Sequence, residues 1–189
     1  MSSLPEDHVC LIKPLAIVVS GSPGSGKSTL ANNLAHHLGW LSVSFGQYVR
    51  SIAERRQITP TRGNLQELGE SLASQGWSRF SIEVLNYFGW SRGLGVVIEG
   101  VRHIEVFEAL QEIIKPMPIK WLFLEVSASE LESRLASRGT GEASSEQMQH
   151  HSTEQQVASF KDTASLIIDG NSSEWEVLEV ALAWLQQPK

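Results

Sequence analysis

A chain of 189 residues with a formal net charge of −6, 41% apolar residues and one cysteine is sized for a single domain with a real core. Its acidic balance, with no strongly basic stretch, argues against a protein that holds nucleic acid by broad electrostatics. The lone Cys10 excludes an internal disulfide and a multi-cysteine zinc site and fits a reducing compartment. The N-terminus is acidic and no window nears the roughly 18 unbroken apolar residues of a membrane span, so a cytoplasmic protein without membrane contact is expected.

Residues 1–14 read as an N-terminal extension and 15–187 as one domain. The run "LAIVVS" (15–20) predicts a buried strand. "KSTLANNLAHHL" follows, with Leu30, Leu34 and Leu38 on one helix face and Gly39 as the stop. "WLSVSF" (40–45) alternates as a second strand, and "GQYVRSIAERRQ" (46–57) is helical until Thr59-Pro60-Thr61 breaks it. "NLQELGESLASQG" and "WSRFSIEVLNYFG" predict two further helices, so 46–90 forms a helical region. Then come a third strand (94–100), the helix "HIEVFEALQEIIK", a fourth strand (119–126) and the helix "SASELESRLASRG". The polar "TGEASSEQMQHHST" has no apolar period, and a short lid over 139–151 is expected there. "EQQVASFKDTA" reads as helical, "SLIIDG" (165–170) as a fifth strand and "SEWEVLEVALAWLQQ" as a closing amphipathic helix. Five apolar strands alternating with helices predict an α/β fold: a mostly parallel five-stranded sheet with helices on both faces, ligands binding beyond the strands' carboxyl ends.

Between the first strand and its helix stands "GSPGSGKST", which fits G-x-x-x-x-G-K-[ST]. Gly21, Gly24 and Gly26 permit the backbone angles of an anion nest, with Ser22, Pro23 and Ser25 between them. The next helix turns its positive end to the same point. Lys27 adds a point charge for the outer phosphates, the Ser28 hydroxyl is suited to Mg²⁺, and Thr29 closes the motif. The loop alone does not separate GTPases, motor ATPases, AAA+ machines and kinases. No Asn-Lys-x-Asp or Thr-Lys-x-Asp guanine selector follows a later strand, and the chain leaves little room for an AAA+ helical lid domain.

From residue 15 to about 178 the chain resembles the adenylate kinase-like nucleoside-phosphate kinases, with their three-layer P-loop NTPase fold. "SFGQYVR" (44–50) looks like that family's Thr-Gly-Asp-x-x-Arg segment, "VVIEGVR" (96–102) like its Asp-Gly-x-x-Arg element, "LESRLASRG" (131–139) like the helix flanking the lid, and "IIDGNSS" (167–173) like the loop beside adenine. The resemblance implies that Arg50 grips an acceptor phosphate, joined by Ser44, Gln66 and Arg102. Lys27, Arg102 and Arg138 would stabilise the transferring group, Ser28 and Glu99 would organise Mg²⁺, and Arg134, Gly170 and Asn171 would hold the base of ATP. Two departures stand out: Glu99 and Gln47 each replace a familiar aspartate. "RGNLQELGESL" (62–72) is more similar to phage-type deoxynucleoside monophosphate kinases and to AAA-type P-loop kinases, and dephospho-coenzyme A kinase is a further relative.

The expected activity is Mg²⁺- and ATP-dependent phosphoryl transfer to a small phosphorylated acceptor, foremost a nucleoside monophosphate. Dephospho-coenzyme A, another small acceptor, or an ATP-binding switch without kinase activity are the alternatives. Glu67 is a second candidate acceptor contact beside Gln66. Neither His36-His37 nor His150-His151 has metal-ligand spacing, although His151 could touch a phosphate. Trp121, Trp175 and Trp184 read as core or interface residues, and Trp77 and Trp90 as packing residues or base-stacking platforms.

Overall fold

The structure is a computed structural model that describes residues 12–137 and 160–187. Its strands are β1 (Ala16–Gly21), β2 (Leu41–Ser44), β3 (Val96–Glu99), β4 (Ile119–Glu125) and β5 (Leu166–Asp169). The helices are α1 (Lys27–Leu38), α2 (Phe45–Arg55), α3 (Arg62–Ser74), α4 (Trp77–Tyr87), α5 (Ile104–Ile114), α6 (Ala128–Ser137) and α7 (Glu174–Leu185). One five-stranded sheet runs in the order β2-β3-β1-β4-β5, and every strand pair in it is parallel. The mostly parallel sheet expected from the sequence is thus wholly parallel among the described residues.

Successive side chains of a strand point to opposite faces, and the core divides accordingly. Ala16, Val18, Val43, Val96, Ile98 and Trp121 face the layer built from α2 to α5. Ile17, Val19, Val97, Leu122, Leu124 and Ile168 face the layer of α1 and α7. Burial on both faces explains why these strands read as continuous apolar runs. Trp121 meets its expectation as a core residue: it is 1% exposed, lies against Phe107 and Phe160 with ring centroids 4.0 and 4.6 Å away, and donates its indole N–H to the Ser20 hydroxyl at 2.6 Å. Trp184 is partly buried against the second core. Trp175, on the same helix, is 63% exposed and is no core residue.

Local chemistry sets the helix ends. Gly39, with φ of 64°, ends α1 by returning its amide to the Ala35 and His36 carbonyls. Thr61 caps α3 by accepting from the Asn64 amide at 3.2 Å, so that helix starts at Arg62, two residues before the expected point. Ser173 and Glu176 form a reciprocal capping box on α7. Of the helix expected over 154–164, the described part is a 3₁₀ turn, Phe160–Thr163. The expected lid over 139–151, with His150 and His151, lies outside the described residues, as do Cys10 and Arg138. No helix among the described residues is long and apolar enough to cross a membrane.

Candidate active site

The loop after β1 has a backbone that only its glycines can adopt. Gly21, Gly24 and Gly26 have φ of 148°, 85° and 93°. A Cβ on Gly21 would lie 2.6 Å from the Leu124 carbonyl oxygen of the neighbouring strand. The loop turns on a hydrogen bond from the Ser25 amide to the Ser22 carbonyl, 3.1 Å. Lys27 opens α1 and donates to that same carbonyl at 3.3 Å, which keeps its ammonium over the loop. The Ser25 side chain is buried.

One turn of chemistry away, Ser28 donates to Glu99 Oε2 at 3.2 Å. The other carboxylate oxygen, Oε1, accepts from the Ser44 hydroxyl. Ser44 thereby does two things, because its oxygen also accepts from the Gln47 amide at 3.1 Å and caps α2. The sequence reading placed Ser44 against the acceptor. It does line the cleft, but its hydroxyl serves Glu99. Glu99 is 8% exposed at the end of β3, so its charge needs both donors.

A cleft of about 670 Å³ opens in front of these groups. Lys27, Ser28, Glu99 and Arg102 line it on the side of the phosphate loop. Arg50 reaches it from α2, and Gln66 from α3. Glu67 does not line it and is exposed; the positions of α3 that do line it span the arc from Leu65 to Glu70, and Glu67 stands beyond that arc, about 100° round from Gln66. Among the lining residues with charged or titratable side chains, Arg62, Glu70 and His103 were not expected from the sequence. The signal for the first two was the helical spacing from Gln66. His103 stacks on Trp77 with centroids 5.2 Å apart, which assigns Trp77 a packing contact. Trp90 donates to the Leu94 carbonyl at 2.9 Å and also packs.

On α2 and α4, behind Arg50, Tyr48 donates to Glu83 at 3.1 Å, and Arg79 donates to the same carboxylate at 2.8 Å. The Arg79 hydrogen bond holds the Glu83 carboxyl below its ordinary range. Burial, then the Glu83 charge, pushes the Tyr48 phenol above its usual value.

A second hollow of about 360 Å³ lies on the other side of the loop, lined by Gly26, Thr29, Asn33, Arg134, Gly170 and Ser173. The Arg134 guanidinium is held by three partners: the Ser25 carbonyl at 3.2 Å, the Gly170 carbonyl at 2.8 Å and Glu130 at 2.7 Å. A Cβ on Gly170 would lie 2.6 Å from Val126 Cγ2, so this approach needs glycine. Asn171 does not line the hollow. Its carbonyl accepts from the Ser127 amide and hydroxyl, both at 3.0 Å, and so ties the start of α6 to the end of β5.

The donor set beside the loop fits Mg²⁺. A buried carboxylate and a hydroxyl are hard oxygen ligands, and Mg²⁺ is commonly held by one or two carboxylates together with substrate phosphates and water. Among the described residues, no three His, Cys, Asp or Glu side chains gather as a cage for another metal.

The wholly parallel sheet and the glycine loop at its carboxyl edge define an α/β P-loop kinase-like fold. The chain belongs to the AAA domain family AAA_18, a P-loop kinase domain whose model matches residues 17–157. It is 34% identical over 123 residues to a UPF0200 protein of Pyrobaculum aerophilum, a match covering 65% of this chain and 66% of that protein. It is 45% identical over 56 residues to a cytidylate kinase of Halobacterium salinarum, covering 30% of this chain and 28% of that protein. The chain thus spans less than two thirds of the length of these relatives. The shikimate kinase of Aquifex aeolicus shares the fold, with a TM-score of 0.55 at 15% identity over 91% of this chain and 96% of that one.

Proposed function

We propose that this protein transfers the γ-phosphoryl group of ATP to the phosphate of a nucleoside monophosphate. The observation that carries this reading is the convergence of Lys27, Arg50 and Arg102 on one cleft, beside the Ser28–Glu99 pair. The names of the cytidylate kinases among the relatives support a nucleotide acceptor.

In this reading the glycine loop wraps the β- and γ-phosphates with backbone N–H groups, and Lys27 adds a cation to their outer oxygens. Ser28 and Glu99 hold Mg²⁺, which when bound neutralises charge on the β- and γ-phosphates. The acceptor's phosphate oxygen attacks phosphorus as the bond to the ADP oxygen breaks, and ADP leaves with that electron pair. A phosphate monoester is already ionised at neutral pH, so no side chain need remove a proton. Arg50 fixes the acceptor's phosphate and Arg102 faces the moving group, where positive charge counts most as negative charge spreads over the equatorial oxygens. Arg138 is placed in the same role from its sequence position. On the other side, Arg134 and Gly170 border the site for the base of ATP. Residues 46–90 supply the acceptor wall within a domain over 15–187.

The test is to incubate the protein with Mg²⁺ and ATP and each of a panel of nucleoside monophosphates and dephospho-coenzyme A, following ADP and phosphorylated product. Acceptor-dependent ADP with a matching nucleoside diphosphate supports the reading. ADP at the acceptor-free rate with every monophosphate overturns it.

A further inference from the structure

Helix α6 buries none of its residues, yet one of its faces is turned to the phosphate loop. Leu131, Arg134 and Leu135 form the i, i+3, i+4 stripe of that face. A Cβ on Gly24 would lie 3.3 Å from Leu135 Cδ2 and 3.7 Å from Leu131 Cδ2, so the two leucines sit against the loop. Beside them Arg134 donates to the Ser25 carbonyl at 3.2 Å. The same side chain crosses to the Gly170 carbonyl just after β5, 2.8 Å, and is steadied on its own helix by Glu130, 2.7 Å.

Each contact uses a different nitrogen: Nη1 for Ser25, Nη2 for Gly170 and Nε for Glu130. The guanidinium plane is therefore fixed in direction. It acts on the loop through one peptide. The C=O of Ser25 and the N–H of Gly26 belong to the same planar trans unit and point opposite ways. Drawing the carbonyl onto Arg134 turns the Gly26 N–H to the other side. Gly26 is the N-cap of α1, next to Lys27. A cation on the carbonyl also polarises the peptide and strengthens that N–H as a donor. Ser25 is held at its other end too, by the bond from its amide to the Ser22 carbonyl at 3.1 Å.

We infer that Arg134 is a positioning residue for the phosphate grip: through the Ser25 carbonyl it keeps the Gly26 N–H aimed at the donor's phosphates, and so acts on the triphosphate without touching it. This rests on the reading above in which the glycine loop holds the phosphates of ATP. A role confined to the base of ATP is blind to a ligand that has no base. A strut of the loop is felt equally by ATP and by bare polyphosphate, and it shows before any ligand arrives. Lysine at this position keeps the charge and loses the planar fork.

Calorimetric titration of the parent, Arg134→Met and Arg134→Lys with Mg²⁺-ATP and with Mg²⁺-tripolyphosphate separates the two roles. Both ligands should bind Arg134→Met roughly tenfold more weakly than the parent, by the same factor, and Arg134→Lys should restore little of the loss. Hydrogen–deuterium exchange of the nucleotide-free proteins reads the loop directly: amides over 22–28 should exchange faster in both variants. Their melting temperatures should stay near the parent's, because α6 buries no residue. A loss confined to ATP, full rescue by lysine, or unchanged exchange over 22–28 overturns the inference and leaves the loop standing as the phosphate site of ATP. If the parent binds ATP but not tripolyphosphate, exchange decides alone: faster exchange upholds the inference and unchanged exchange overturns it. A parent that binds neither ligand overturns the phosphate-loop reading, and the inference with it.

Discussion

Ser44 and Glu99 end neighbouring strands, face each other in register across β2 and β3, and are joined by a hydrogen bond from the serine hydroxyl to the carboxylate. The pair couples two halves of the site. Ser44 starts the helix that carries Arg50, and Glu99 reaches back to Ser28 at the head of α1.

Removing this hydroxyl should therefore be felt twice. Ser44→Ala loses the α2 cap, at about 1 kcal/mol, which for a chain of this size lowers the melting temperature by roughly 2–4 °C. It also releases one side of Glu99. The Mg²⁺ concentration for half-maximal activity should rise roughly tenfold, and Ser44→Thr should restore most of it. Scanning calorimetry and a Mg²⁺ titration of initial rate check the two effects separately.

Lys27→Ala tests the phosphate loop. The side chain is a partly exposed cation that donates to a carbonyl of its own loop, so the fold should survive with an unchanged circular dichroism spectrum. Acceptor-dependent ADP formation should fall on the order of 10²–10³-fold. Retention of near-parent turnover would sink the assignment.

Two glycines should respond in opposite ways. Gly21→Ala forces a Cβ against a backbone carbonyl at a φ that other residues rarely adopt, and should destabilise the protein by about 3 kcal/mol. Gly69→Leu has helical backbone, with its Cβ in ordinary contact with the Val49 methyl groups at 3.7 and 4.0 Å, and gains helix propensity of about 0.8 kcal/mol. Its melting temperature should hold or rise while the acceptor KM increases and the ATP KM stays unchanged. Urea denaturation and steady-state kinetics on the two variants distinguish strain from occlusion.

The Tyr48–Glu83 contact predicts a pH dependence of stability with two ends. The folded Glu83 carboxyl titrates below the ordinary glutamate value of 4.5, chiefly through the Arg79 hydrogen bond. The native state therefore binds fewer protons than the unfolded chain in that range, and this stabilisation is present above pH 4.5 and lost as pH falls through the folded value. The Tyr48 phenol titrates above 10.0 because of burial and then Glu83. Here the native state holds the extra proton, so the stabilisation is present below pH 10 and lost as pH rises through the folded value. Urea midpoints measured across pH should show a shallower acid limb in Glu83→Gln and a shallower alkaline limb in Tyr48→Phe.

The strands and the phosphate loop were legible because their signals are local. A buried parallel strand is a continuous apolar run, and "GSPGSGKST" carries its own backbone requirement. Gln66 was legible as a cleft residue, but Glu67 was chosen beside it where Glu70 belonged. The reason is that α3 can be read as helical without knowing which face it turns to the cleft. Ser44 was placed against the acceptor because its partnership with Glu99 is set by strand register, and those residues stand far apart in the chain. The partners of Asn171 and Arg134, Ser127 for one and the Ser25 and Gly170 carbonyls for the other, were not legible for the same reason: they meet only in the folded chain.

The strand order β2-β3-β1-β4-β5 has a genetic consequence. Every residue that lines the large cleft away from the phosphate loop and α6 falls between Ser44 and Val106, a single uninterrupted stretch. β2 and β3 enter the sheet on one flank of β1, and β4 and β5 on the other. A recombination event that exchanged this stretch would bring a new acceptor wall as one cassette, leaving the phosphate loop, α1 and the flank of β4 and β5 as they were. Substrate preference in such an architecture can change by inheritance of a block as readily as by point mutation.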